Sequence, residues 1–212
     1  MKKLVAALLF LGYVCNAQKI TPNLQNKKLW HLSGRSIENF QEQGKTGVKF
    51  SEEQGIGMLI LDESKFSMGT IEFDVKGKDV PQQSFVGVAF HIQNDSTYDA
   101  IYFRPFNFLN ADTTRRVRAI QYISMPKYDW PKLRAEFPSK YENRVNPVPN
   151  PEKWFHVKVV VNNNRISVFV NDNSKPCLVV DKLAQTKTGK VGLWVGNGSG
   201  GSFANLVILP SK

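Results

Sequence analysis

Apolar and polar positions alternate along most of this chain with a period of two, the signature of half-buried strands. In "VKVVV", Val157, Val159 and Val161 share one face, and in "RISVFV" so do Ile166, Val168 and Val170. The same alternation runs through "GTIEFDVKG", "SFVGVAFHI", "YDAIYFRPF" and "RVRAIQYIS". Shorter runs such as "KLWHLS", "GVKFS", "GMLILD", "CLVVDKL", "KVGLWVG" and "FANLVIL" bring the strands to about a dozen. Clusters of Gly, Asn, Asp and Pro punctuate them, and "NNN" at Asn162 to Asn164 predicts a hairpin through residues that tolerate positive φ. So many short strands predict an all-β fold of two packed antiparallel sheets, a jelly-roll sandwich.

Two segments break the pattern. The first 17 residues carry Lys2 and Lys3, an apolar run from Leu4 to Val14, and "CNA" before Gln18. That is the form of a secretory signal peptide, too short to remain as a membrane span. Tyr13 and Val14 fill positions where a lipobox needs small residues, so cleavage after Ala17 is expected rather than lipidation of Cys15. The mature protein is then one domain over 18–212, exported to the periplasm or beyond, with Cys177 its only cysteine and no transmembrane segment. The second segment, Met125 to Lys153, carries six prolines and lies within a long Pro-rich insertion at about 105–150. Its aromatic residues argue that it folds back over the sheet near Arg104, with one short helix at about Pro131 to Glu136.

The formal charge is +10, and nine Lys or Arg stand against four acidic residues between Arg104 and Arg144. For an exported chain this basic, aromatic stretch points to an anionic glycan rather than to nucleic acid.

The C-terminal part, "WFHVKVVVNNNRISVFVND" with "LVVDKL" and "GKVGLWVGNGSGGSFANLVIL", resembles the closing strands of the concanavalin A-like lectin/glucanase superfamily. It is most similar in style to laminin-G-like and 3-keto-disaccharide hydrolase (DUF1080-type) domains of exported bacterial proteins. The resemblance spans roughly 28–209. It implies a concanavalin A-like jelly roll and a function among lectins, hydrolases, lyases and adhesion modules, since the fold hosts all of these.

Candidate chemistry narrows that range. Laminarinase-like glycanases carry E-x-D-x-x-E on one strand. Here Glu72 and Asp74 match, but Gly77 stands at the third position, so the pair reads as solvent-face residues. Jelly-roll lyases use Arg, Gln, Tyr and His around a uronate. "YFRPFNF" and "AIQYIS" resemble their strands, yet Tyr122 stands where a histidine is required. His31, His91 and His156 lack metal-ligand spacing, and no cofactor is indicated. "NDNS" and "NGSGGS" read as turns that could also supply oxygens to a structural calcium.

The candidate ligand site therefore rests on "YDAIYFRPFNF". Alternation puts Tyr98, Ala100, Tyr102 and Arg104 on one face, opposite Asp99, Ile101 and Phe103. Beside it, Phe85, Gly87, Ala89 and His91 form a face with a small-residue middle, suited to the wall of a cleft. His91, Tyr102, Arg104, Arg118 and Gln121 are expected to converge there, with Trp130 and Tyr141 supplied by the folded-back segment. Aromatic faces stack on sugar rings and arginine grips carboxylate or sulfate. Arg104 could instead clasp Glu136 or Glu142 and pin the segment down. The expected function is binding of carbohydrate, acidic glycans included. A glycoside hydrolase of the 3-keto-disaccharide type is the alternative, and a scaffold without a sugar ligand the third reading.

Overall fold

The computed structural model describes residues 18–211; the expected signal peptide, with Cys15, lies outside the described residues. In chain order the strands are β1 (Trp30–Ser33), β2 (Ile37–Glu42), β3 (Lys45–Glu53), β4 (Gly57–Leu61), β5 (Gly69–Lys76), β6 (Val86–Asn94) and β7 (Thr97–Phe103). They continue with β8 (Ile120–Met125), β9 (Glu142–Asn143), β10 (Phe155–Val161), β11 (Arg165–Val170), β12 (Leu178–Asp181), β13 (Lys190–Val195) and β14 (Ser199–Pro210). Two short helices, α1 (Thr113–Arg116) and α2 (Trp130–Glu136), lie between β7 and β9. The strands form two seven-stranded antiparallel sheets, ordered β1-β4-β13-β6-β7-β8-β9 and β12-β11-β10-β5-β14-β3-β2. This is the jelly-roll sandwich that the alternation predicts. Among the described residues no helix is long and apolar enough to cross a membrane.

The valine-rich hairpin has the expected register. Val157 faces Val170, Val159 faces Val168 and Val161 faces Ile166, all fully buried. Its turn differs from expectation, because none of Asn162 to Asn164 takes positive φ. Asn162 N–H donates to the Arg165 carbonyl at 2.9 Å, a closure that needs no left-handed residue. The left-handed conformation falls instead on Asn171 and Asp172 of the "NDNS" turn, at φ 50° and 56°. Across the sandwich, the Phe103 ring of the first sheet meets Phe155 of the second edge-on, centroids 5.2 Å apart.

The stretch at 105–150 is more than an appended loop, since it supplies β8 and β9 to the first sheet. The segment after β8 folds back as expected. Asp129 accepts from the Trp130 N–H as N-cap of α2, Leu133 is buried, and the Tyr141 ring packs on Tyr122 and Phe137.

One departure from alternation moves a candidate residue. The β6–β7 register shifts between Phe90 and Asn94, and His91 sits at φ 51°. This bulge turns its ring away from the Gly87–Ala89 face and toward the core, where it is wholly buried. There Nδ1 lies 2.8 Å from Asp99 Oδ2 and Nε2 lies 2.8 Å from the Ser67 carbonyl. Tyr122 donates to Asp99 Oδ1 at 2.7 Å and accepts from the Leu183 N–H at 3.1 Å. Burial, together with the Asp99 carboxylate, holds the Tyr122 phenol well above its usual range, so it stays a donor. His91 thus belongs to a chain of polar contacts running between the sheets.

On the outward face of the second sheet, Asp74 is only 8% exposed rather than solvated. Burial alone would raise its carboxyl, but hydrogen bonds from His156, Lys45 and Asn205 at 2.9, 2.6 and 2.6 Å together hold it at about 2. The Asp74 hydrogen bond raises His156 in turn, against the opposing pull of its partial burial. Asp74 therefore stabilises the fold above pH ~4, the unfolded carboxyl value, an effect lost as pH falls toward 2; it is on the order of 2 kcal/mol. His156 contributes below pH ~6.5, and that contribution is lost as pH rises through its elevated folded value. Melting temperature followed from pH 2 to 9 should peak between about 4 and 6.5. Asp74→Asn should flatten both limbs, and an unchanged profile in that variant would refute the linkage.

Candidate functional site

The first sheet presents a row of residues paired across five strands: Met58, Trp194, Gly87, Tyr102 and Gln121. Gly87 carries no side chain between Trp194 and Tyr102, so those two rings meet above it with centroids 4.9 Å apart, tilted by 32°. The next row toward one end, Gly192, Ala89 and Ala100, is also small. Small residues in the strand middles therefore leave room for large rings on the same face, as the "SFVGVAFHI" pattern predicts.

Phe85 packs edge-on to Tyr102 at 6.1 Å and adds a third ring. Over these rings lies a pocket of about 180 Å³. Ile56, Gly196 and Asn197 form one wall; Met125, Asp129 and Trp130 form the opposite one. Tyr102 and Trp194 are almost fully buried, whereas Trp130 is 42% exposed. The pocket is thus apolar at its base and polar only at its edges, where Asp129 and Asn197 stand. Asn197 Oδ1 is used by the Gly55 N–H at 2.7 Å and Asp129 Oδ1 by the Trp130 N–H at 2.6 Å. The remaining Asp129 oxygen and the Asn197 amide nitrogen have no protein partner among the described residues, and Asp129 forms no ion pair there.

Arg104 sits behind this wall rather than in it. Its Nη2 donates to the Tyr102 hydroxyl at 2.7 Å and to Gln121 Oε1 at 3.5 Å, and its Nη1 donates to the Arg118 carbonyl at 2.9 Å. The guanidinium also lies over the Tyr102 ring, 4.9 Å from its centroid. Burial pushes the Tyr102 phenol up to about 12, opposed by Arg104, so Tyr102 is protonated at any ordinary pH. Arg104 clasps neither candidate carboxylate. Glu142 is held by Arg134 through two bonds of 3.0 and 2.6 Å, and Glu136 pairs with Lys132 at 3.7 Å. The Arg134 head in turn stacks over Trp130 at 4.9 Å, tying that wall to β9.

Of the seven residues expected to converge, Tyr102 and Trp130 line the pocket, while Arg104, Gln121 and the Arg118 carbonyl form the layer behind Tyr102. His91 and Tyr141 do not join them. The bulge turns His91 to the core, and the Tyr141 ring is buried beside Tyr122, on the opposite side of β8 from Gln121. Sequence reasoning missed Trp194 and Asp129. Trp194 had a legible signal, an aromatic flanked at i±2 by Gly192 and Gly196 on the face opposite Leu193 and Val195. Asp129 had none beyond its place before a helix.

Arg35 was also missed. It is 7% exposed and donates to five backbone carbonyls: Gly34, Gln54, Gly55, Gly196 and Ser199. It fastens together the two turns that carry Ile56 and Asn197, and so holds one wall of the pocket.

Two substitutions check this framework. Arg104→Ala leaves buried acceptors without a donor but strands no carboxylate, so urea denaturation should register a loss of about 1–3 kcal/mol. Arg35→Ala frees carbonyls in three turns and should cost on the order of 3 kcal/mol, with Arg35→Lys recovering only part because an ammonium cannot span the same fork of acceptors. Full recovery by lysine would refute the clasp.

The comparisons with known proteins agree with this architecture. A family model for the 3-keto-alpha-glucoside-1,2-lyase-like domain matches residues 23–209. Carbohydrate-binding module CBM66 from Bacillus subtilis superimposes with a TM-score of 0.62 at 13% identity, over 85% of this chain and 95% of that one. The VIP36 exoplasmic/lumenal domain in its Ca2+/Man-bound form gives 0.56 at 12% identity, over 90% and 88%. A protein provisionally classed as a glycosyl hydrolase, from Parabacteroides distasonis, gives 0.53 at 14% identity, over 87% and 89%. At these identities the likeness is one of fold. No curated protein matches the sequence. With the model covering nearly its whole length, the chain belongs to the 3-keto-alpha-glucoside-1,2-lyase-like domain family.

Proposed function

We propose that this chain is an exported carbohydrate-binding protein that seats a sugar in the aromatic pocket of the first sheet. The observation that carries the reading is the pocket's composition. Buried rings of Trp194 and Tyr102 form its base, the partly exposed Trp130 ring offers a sugar the face that Arg134 does not cover, and the free polar atoms of Asp129 and Asn197 stand where ring hydroxyls would meet them. The structural neighbours that bind carbohydrate support it, as does the family. Basic side chains such as Arg115, 58% exposed, would draw a polyanionic glycan to the surface without lining the pocket.

A second reading is favoured by one observation: the pocket wall holds a single carboxylate. Glycoside hydrolysis by the usual route needs two, but a 1,2-elimination from a 3-keto glucoside needs one base. Asp129 would take the C2 proton, acidified by the neighbouring ketone; the C2–H electron pair would form a C1=C2 double bond as the C1–O bond breaks, and the proton held by Asp129 would pass to the departing aglycone oxygen.

A glycan array spanning neutral and acidic sugars, together with a 3-keto glucoside, read for both binding and product release, tests the two together. Binding without turnover is expected, weakened roughly 3- to 10-fold by Trp130→Ala through lost stacking. Absence of binding across the array would overturn the binding reading. Product release from a 3-keto glucoside, abolished by Asp129→Asn, would establish the second.

A further inference from the structure

We infer that the pocket prefers a sugar bearing a free amino group in its ammonium form; this rests on the carbohydrate-binding reading above. The chain as a whole is basic at +10, yet the one charged residue lining the pocket is an acid. Asp129 spends one oxygen on the α2 cap and forms no ion pair among the described residues. Trp130, Trp194, Tyr102 and Phe85 line the same pocket. Guanidinium heads already lie over one face of Trp130, Tyr102 and Phe85, so the Asp129 carboxylate is the main attraction for an ammonium group, with the rings' uncovered faces adding to it.

The nearby arginines do not cancel this. Arg134 is paired through two bonds with Glu142, a carboxylate that also lies 3.8 Å from Arg118. Arg104 is separated from the pocket by the Tyr102 ring, and its donors are engaged by Tyr102, Gln121 and the Arg118 carbonyl. An ammonium in contact with Asp129 is much nearer to that carboxylate than to the Arg104 head, and Coulomb energy falls with separation. A uronate in the same place would set its carboxylate against Asp129. The pocket and the basic surface therefore select opposite charges.

Tryptophan fluorescence of the native protein, titrated with glucosamine, glucose, glucuronate and choline, tests the inference, because Trp130 and Trp194 lie in the pocket. Glucosamine is expected to bind on the order of tenfold more tightly than glucose, with glucuronate weakest. Asp129→Asn, which keeps a competent helix cap, should bring the glucosamine-to-glucose ratio to about one. Equal binding of glucose and glucosamine would overturn the amino-sugar preference while leaving carbohydrate binding intact, and tightest binding of glucuronate would do the same. Choline binding as well as glucosamine would assign the pocket to ammonium compounds in general and overturn the sugar component. No response to any of the three sugars would count against the carbohydrate-binding reading itself.

Discussion

The close approach of Trp194 and Tyr102 above Gly87 is the contact on which the rest of the site depends. Two large rings at paired positions on the strands either side of a third normally compete with the side chain between them. Here that side chain is missing, and a Cβ at position 87 would lie 2.0 Å from the Ile101 carbonyl oxygen. The glycine therefore answers two demands at once: backbone proximity within the sheet and ring proximity above it. With the rings joined, Phe85 packs against their edge and Arg104 closes the back of Tyr102. The walls are then added from loops, each held by its own arginine. Arg35 secures the side of Ile56 and Asn197, and Arg134 the side of Trp130.

Much of the scaffold was legible in the sequence because it follows from the two-residue period. The facing valines of β10 and β11, the small-residue face of β6 and the placement of Tyr102 and Arg104 all come from alternation within single strands. What alternation could not convey is where it stops. His91 continues the pattern of Gly87 and Ala89 on paper, but the bulge reverses it, and the cause lies eight residues away in the buried Asp99 carboxylate. A polar group in the core draws a polar partner inward, and the backbone yields by adopting a left-handed residue.

The site's remaining misses share another cause: the partner is backbone, or lies far along the chain. Nothing local to Arg35 announces that its acceptors lie near positions 54 and 196. The pairing of Arg134 with Glu142 is similarly opaque, since Arg104 has comparable claims on the same carboxylate by charge alone. Geometry decides it, because β9 presents Glu142 to the helix α2 that carries Arg134. Basic composition is a different matter. It describes the exterior, whereas the pocket wall is set by one acidic helix cap.

Because every acceptor of Arg35 is a main-chain carbonyl, the clasp is indifferent to the side chains of the turns it holds. Ile56 can be exchanged without disturbing the bonds that position it, provided the turns keep their backbone path, whereas Asn197 also joins the two turns through its own side chain, which accepts from the Gly55 N–H. One wall of the pocket is thereby separated into a constant frame and a replaceable surface. Related chains that retain such an arginine could diverge in ligand by changing a few side chains at the rim, with the sandwich beneath left untouched.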